Sequence, residues 1–373
     1  MKTISRALVV PLLLSSCLKE EADGIPEKTN RTVLFYMAGD NSLSDETQEK
    51  IDALCAAWNV DDDNHLLVYQ DSKGENTPRL LEIKNGYDGK GMAEEVKTYE
   101  EENSASASVF SRVLTDVILH YPASDYGLVM FSHGSGWLPL ETYVTPRSVV
   151  MDGEKEMELQ DFAAAIPEGQ FSFIIFESCL MAGAEVAYEL IGKTEKILAS
   201  CTEIVSPGFT PLYGKLLECL YRKDPALEEF ARSYYEYYNL LSGDDRSATV
   251  SVIRPSALEP LKEFLAKVES NVEYWERVDR TDIQHFDRRK SDYLYYDLED
   301  YIRQIGSQKD INELSGILNA AVSYKAATEY FMPGSNYGFS INRHCGLTIY
   351  IPTPKYPYLN TQRKLLKLFS INR

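Results

Sequence analysis

The stretch Phe171–Ala187, FSFIIFESCLMAGAEVA, constrains the fold most tightly. Its first six residues are almost wholly apolar and rich in aromatic and β-branched side chains. A short run without polar alternation fits a strand buried on both faces of a parallel sheet, which requires helices on either side. The run stops at Glu177-Ser178-Cys179, after which Met181, Ala184, Val186, Ala187 and Leu190 recur at helical spacing. The pattern predicts strand, turn and helix, with Cys179 at the strand's carboxyl end and just before the helix N-terminus. Ligands gather at that edge of open α/β sheets, and a helix N-terminus favours thiolate over thiol. The same cysteine could equally be a small buried hydrophobe.

A second run of this kind, Tyr126–Ser132 (YGLVMFS), ends at His133-Gly134-Ser135-Gly136. A cysteine nucleophile needs a base within reach, usually histidine. Small residues after His133 let backbone approach a substrate closely. His133 precedes Cys179 by 46 residues, near the roughly 50-residue spacing of the caspase pattern. A lone histidine is more often structural, but a His and a Cys at the carboxyl ends of successive buried strands point to a dyad. Ser135 is not read as a nucleophile, because Gly134-Ser135-Gly136 lacks the spacing of a nucleophile elbow.

These residues resemble the clostripain-like cysteine peptidases, relatives of caspases, gingipains and legumain. The resemblance is carried by FYMAGDNSL at 35–43, VMFSHGSGW at 129–137, IIFESCLMAGAEVAYEL at 174–190, LASCTEIVSPG at 198–208 and GLTIYIP at 346–352. It implies a caspase-like α/β fold, a mostly parallel central sheet flanked by helices. It further implies His133 as base or charge partner, Cys179 as nucleophile, and the amides of Gly134 and Cys179 as the oxyanion hole. Family members are often cut between the His and Cys strands, and calcium assists some of them, although no ligand set is legible here. Two departures bear on substrate choice. The family usually has Asp-Ala before the Cys, whereas this chain has Glu177-Ser178. Its Pro-Gly-x-Gly-Trp-x-Tyr region is here Pro207-Gly208-Phe209-Thr210-Pro211-Leu212-Tyr213.

A formal charge of −19 argues against nucleic acid or an anionic membrane surface as partner. Near the start, Lys2 and Arg6 flank the beginning of the apolar run Ala7–Leu14, which is too short to span a bilayer. It leads into Leu14-Ser15-Ser16-Cys17, which resembles a bacterial lipobox. On that reading 1–16 is a signal peptide, Cys17 carries the lipid, and polar residues 17–30 tether the protein to the outer membrane. Leu18-Lys19-Glu20-Glu21 is similar to a surface-export signal, and the membrane is touched only through the anchor. An ordinary secretory signal with a chance cysteine is the alternative. Cys55, Cys201, Cys219 and Cys345 show no paired metal-ligand spacing. No metal site and no required cofactor is therefore expected, and Cys201 and Cys345 read as buried thiols.

Along the chain, Arg31–Ala38 reads as the first core strand and Ser44 as the N-cap of a helix to about Trp58. Leu66–Gln70 is the second strand, and Arg79–Ile83 with its flanks an edge hairpin. Residues 31–214 form the catalytic core; 215–373 are helix-rich and add the strands Ser247–Ile253 and Gly346–Ile351. Asp297, Glu299 and Asp300 read as a solvated helix face. The loop Thr202–Gly214 follows the strand Lys196–Cys201, which makes Glu203, with Glu177, a candidate for binding a basic side chain. Either could instead be salt-bridged or capping.

The function read from these features is an exported cysteine endopeptidase that cleaves polypeptides after Arg or Lys. Its rival is a non-enzymatic surface binding module that keeps the fold. The connection Gly134–Gln170 holds two basic residues, Arg147 and Lys155, and Arg147 follows a restraining proline in Val144-Thr145-Pro146-Arg147-Ser148. Self-cleavage at Arg147–Ser148 is expected, the alternative being a loop that is never cut.

Overall fold

The computed structural model describes residues 31–370 apart from 61–62, 75–76, 87–88, 139–148, 273–274, 276–277 and 289–291. The leader, Cys17, Arg147 and Ser148 lie outside the described residues. The first five strands are β1 (Arg31–Gly39), β2 (His65–Ser72), β3 (Arg79–Asn85), β4 (Gly91–Thr98) and β5 (Asp125–Phe131). A separate hairpin, β6 (Val150–Asp152) and β7 (Lys155–Met157), precedes β8 (Phe171–Glu177), β9 (Thr194–Ala199) and β10 (Thr249–Ile253). A two-residue strand, β11 (Tyr296–Asp297), comes before β12 (Val322–Ala327). Among the described residues nine strands form one sheet in the order β12-β10-β9-β8-β5-β1-β2-β3-β4. Strands β2, β1, β5, β8 and β9 are parallel. Antiparallel neighbours extend the sheet at both edges.

The parallel strands are apolar on both faces because both faces are covered. Val33, Phe35 and Met37 enter one core with Ile51 and Leu54 of α1 (Ser44–Ala57). The helices preceding β10 on this side are α5 (Tyr213–Leu220) and α6 (Leu227–Asn239), whose Phe230, Tyr234 and Tyr238 fill the same core. Leu34, Tyr36 and Ala38 enter the opposite core, with Phe110 and Leu114 of α2 (Ala107–His120), Phe162 of α3 (Leu159–Ala165) and Val186 of α4 (Ala184–Glu189). The period-two alternation of β1 thus divides side chains between two buried layers.

Three local expectations change. Ser44 is the first residue of α1 rather than its cap; Leu43 holds the cap position without a side-chain hydrogen bond, and Asn41 Oδ1 accepts the Leu43 amide at 2.9 Å in the turn before it. Asp297 and Asp300 are buried, not solvated. Asp297 accepts the Asp300 amide and so caps the helix Leu298–Ile305, while Asp300 accepts the Gln284 amide at 2.7 Å. The run Gly346–Ile351 supplies only Thr348–Ile349, which pairs with β11 outside the main sheet. The far edge is β12, whose mixed sequence VSYKAA gives little periodic signal.

Candidate active site

Strand β1 pairs with β2 on one side and β5 on the other, so the chain reverses its direction of travel across the sheet there. Carboxyl ends of strands at such a switch point form a crevice. Phe131 of β5 is in register with Glu177 of β8. His133 and Cys179 each lie two residues beyond that pair, so the sheet brings the two chemical groups to the same level. Both line a cavity of about 200 Å³ that also takes in Lys50, Glu177, Glu203 and Arg288.

The His133 Nε2 shares a 2.7 Å hydrogen bond with the Ser42 hydroxyl, which comes from the loop after β1. The Cys179 Sγ accepts the Ile204 amide at 3.4 Å. Gly134 stands so close to the Cys179 backbone that a Cβ there would lie 2.8 Å from the Cys179 carbonyl oxygen. Cys179 is half-buried, makes no disulfide among the described residues, and lines the cavity. Ser135, by contrast, is buried.

The helix expected directly after Cys179 begins later. Leu180 has φ +63°, and α4 starts at Ala184. In between, the Leu180 amide donates to the Thr202 carbonyl and the Ala182 amide to that of Ser200, both at 2.9 Å. The segment is thus laid against the end of β9. A helix dipole acts only within its first turn, so the expected placement of Cys179 at a helix N-terminus does not hold.

Glu177 lies on the cavity wall, as its place in the sequence suggested, but its carboxylate already has partners. Oε1 accepts from Lys50 Nζ at 2.6 Å and from the Phe209 amide at 2.7 Å, and Oε2 accepts the Tyr213 hydroxyl at 2.8 Å. Burial beside Glu177 pushes the Tyr213 phenol well up, so it stays protonated as a donor. Lys50 Nζ also donates to Thr210 Oγ1 at 2.9 Å and sits 4.5 Å from the centre of the Phe131 ring. Gly208, at φ +65°, lets the chain pass, since a Cβ there would lie 2.5 Å from Glu177 Oε1. Both side chains of the pair are 1% exposed. Breaking such a pair by removing one partner costs about 3–5 kcal/mol.

Glu203 presents the other case. Its Oε1 accepts from Arg288 Nε at 3.1 Å, with side-chain exposures of 22% and 30%. A partly exposed pair of this kind contributes about 0–1 kcal/mol. Oε2 of Glu203 is buried and has no partner among the described residues.

The cavity brings together four candidates from the sequence, His133, Cys179, Glu177 and Glu203, and adds Lys50 and Arg288, with Ser42 bonded to His133, which the sequence reading did not single out. A signal for Lys50 exists: Thr47, Lys50, Ile51 and Leu54 form one buried stripe of α1, so a lysine stands where the pattern calls for an apolar residue. Among the described residues no group of three His, Cys, Asp or Glu side chains is arranged to hold a metal.

The profile of the clostripain family matches residues 35–354. The structure superposes on an inactive zymogen C11 protease from Parabacteroides distasonis with a TM-score of 0.80 and 30% identity, covering 92% of this chain and 98% of that one. It also matches a secreted C11 cysteine protease from Bacteroides thetaiotaomicron in complex with an irreversible peptide inhibitor, with a TM-score of 0.78 and 29% identity over 91% and 98% of the two chains. No curated protein matches the chain. A family profile spanning most of the sequence, on a sheet that brings His133 and Cys179 to one cavity, makes this chain a member of the clostripain family of cysteine proteases.

Proposed function

We propose that the protein is an exported, lipid-anchored endopeptidase that cleaves polypeptides after a basic residue. Cys179 Sγ attacks the scissile carbonyl carbon, and the amides of Gly134 and Cys179 stabilise the oxyanion. As the C–N bond breaks, His133 delivers a proton to the leaving amine; water then releases the acyl group from sulfur. Ser42 orients the imidazole through its Nε2 hydrogen bond.

The observation that carries the basic preference is the cavity's charge: Glu46, Glu177 and Glu203 against Lys50 and Arg288. A buried substrate cation requires a carboxylate of its own. Lys50 restricts where that cation can sit, because two like charges about 4 Å apart repel by about 4 kcal/mol at an effective dielectric near 20. Export is supported by the leader sequence and by the secreted relative, and anchoring by Cys17 in its lipobox-like setting. Activation by self-cleavage at Arg147–Ser148 is supported by the zymogen state of the Parabacteroides relative. Calcium remains a proposal from the family alone.

The test is labelling of purified protein with an arginyl thiol-reactive probe. Labelling should be strong in wild type and absent in Cys179→Ala. Labelling that survives in Cys179→Ala would remove the nucleophile assignment. In active protein a new amino terminus at Ser148 is expected, absent from Cys179→Ala and Arg147→Ala; an active enzyme that stays one chain removes the processing step.

A further inference from the structure

We infer that Glu203, and not Glu177, reads the substrate's cation, that it selects Arg over Lys, and that Arg288 holds its place until substrate arrives. The inference rests on the peptidase reading and narrows it to one side chain at the cleaved bond.

The two carboxylates of the cavity differ in what they have left to offer. Glu177 is matched by a buried lysine of its own chain, a backbone amide and a phenol. An incoming cation would have to displace Lys50 from three protein acceptors, the Glu177 carboxylate, the Thr210 hydroxyl and the Pro207 carbonyl. Glu203 keeps one oxygen buried and unpartnered among the described residues. A guanidinium presents two parallel N–H groups and can meet both oxygens of a carboxylate at once, whereas an ammonium acts as a point charge. Arg288 supplies only its Nε to Glu203. Its other guanidinium nitrogens have no protein hydrogen bond among the described residues, and the side chain is partly exposed, so it can leave cheaply.

Position supports the assignment. The residue after Glu203, Ile204, donates its amide to Cys179 Sγ, so Glu203 stands one residue from a direct contact with the nucleophile. Arg288 reaches the same cavity wall from the segment that follows Phe286. Substrate binding then exchanges one arginine for another: Arg288 leaves the Oε1 of Glu203, and the substrate guanidinium takes both oxygens. An internal competitor of this sort raises KM for charged substrates without touching the reacting atoms.

The experiment uses three peptide substrates, identical except for Arg, Lys or citrulline before the cleaved bond; citrulline keeps the shape of Arg and lacks its charge. Wild type should favour Arg over Lys by roughly tenfold in kcat/KM and over citrulline by more. Glu203→Gln should lower the Arg-to-citrulline ratio by roughly tenfold or more. Glu177→Gln should reduce all three substrates together. Arg288→Ala should lower KM for the Arg peptide by a clearly larger factor than for the citrulline peptide. An unchanged Arg-to-citrulline ratio in Glu203→Gln, with the fold verified by its melting temperature, overturns the inference. So does an unchanged KM for Arg in Arg288→Ala, a surface variant with little risk to folding. If wild type cleaves none of the three peptides and alkylation of Cys179 is no faster than in His133→Ala, the peptidase reading fails first and the inference falls with it.

Discussion

At the amino end of β1, the fully buried Arg31 holds Asp125 of β5 through two hydrogen bonds of 2.7 Å. Its remaining donors go to the carbonyls of Leu220, Arg222 and Lys223. At the carboxyl end of the same pair of strands, the His133 imidazole, hydrogen-bonded to the Ser42 hydroxyl, lines a cavity, and Glu203 keeps an oxygen without a partner among the described residues. Both ends carry charge inside the protein. At the first, each donor is matched by an acceptor, which fixes two strands and the start of the α5–α6 connection. At the second, the sheet leaves groups to be completed by something that arrives. The Lys50–Glu177 pair belongs physically to the first kind although it lies at the second end: it is a piece of closed framework built into the wall of an open site.

The contrast can be broken most severely at the open end. Cys179→Ala should lower turnover by at least about 10⁴-fold with no change in melting temperature, read by peptide hydrolysis and thermal denaturation side by side. A large loss of stability would place Cys179 in the framework instead. Next in size is Lys50→Met, which strands Glu177 and should cost about 3–5 kcal/mol, measured as a shift in the denaturant midpoint. Arg31→Met should behave alike. If Lys50→Met left stability intact, the pair would not be framework, and the distinction between closed framework and open site would lose its basis.

A third probe compares buried carboxylates with and without a cation. Glu185, at the start of α4, accepts the Tyr350 amide at 2.9 Å and has no ion-pair partner among the described residues. Burial pushes its carboxyl up to about 7. A raised carboxyl favours the folded state in its protonated form. The contribution is therefore full below the unfolded value near 4.5 and is lost as pH rises to about 7. Stability should fall by up to about 3 kcal/mol over that window, and Glu185→Gln should flatten this part of the profile; an unaltered slope would assign it to other groups. The smallest effect concerns Ser42. Ser42→Ala should lower kcat by roughly tenfold through a misaligned imidazole, with KM little changed. A change in KM alone would move Ser42 from orienting His133 to holding substrate.

The strands that lead to His133 and Cys179 were legible because burial on both faces leaves a plain mark: Tyr126–Ser132 and Phe171–Phe176 are almost wholly apolar runs, and strands β5 and β8 coincide with them. The edge strand β12 left none, since a half-covered edge tolerates Ser, Lys and Ala. The turn after Cys179 was misread as helix because Met181, Ala184 and Leu190 are apolar at helical spacing. They are apolar because all of them are buried, and the backbone hydrogen bonds to Ser200 and Thr202 decide the conformation. Glu177, a candidate from the sequence, lines the cavity. Its partner Lys50 lies 127 positions away, and no local pattern reports a pairing at that distance.

The sheet's seam has one more consequence. A cut between His133 and Cys179 would leave β1 to β5 in one polypeptide and β8, β9, β10 and β12 in the other, joined in the sheet by the β5–β8 pairing from Tyr126–Phe171 to Phe131–Glu177 and outside it by contacts such as Arg31 with the Leu220 carbonyl and Lys50 with Glu177. His133 and Cys179, the proposed base and nucleophile, would then belong to different polypeptides. Such an enzyme is an obligate heterodimer synthesised as one chain, and its integrity becomes a matter of mass action. Its melting temperature should rise with protein concentration while that of the uncut chain stays constant. Released at high dilution, it would keep its activity only for as long as the two halves take to separate, so that cleavage would both start the enzyme and set its lifetime.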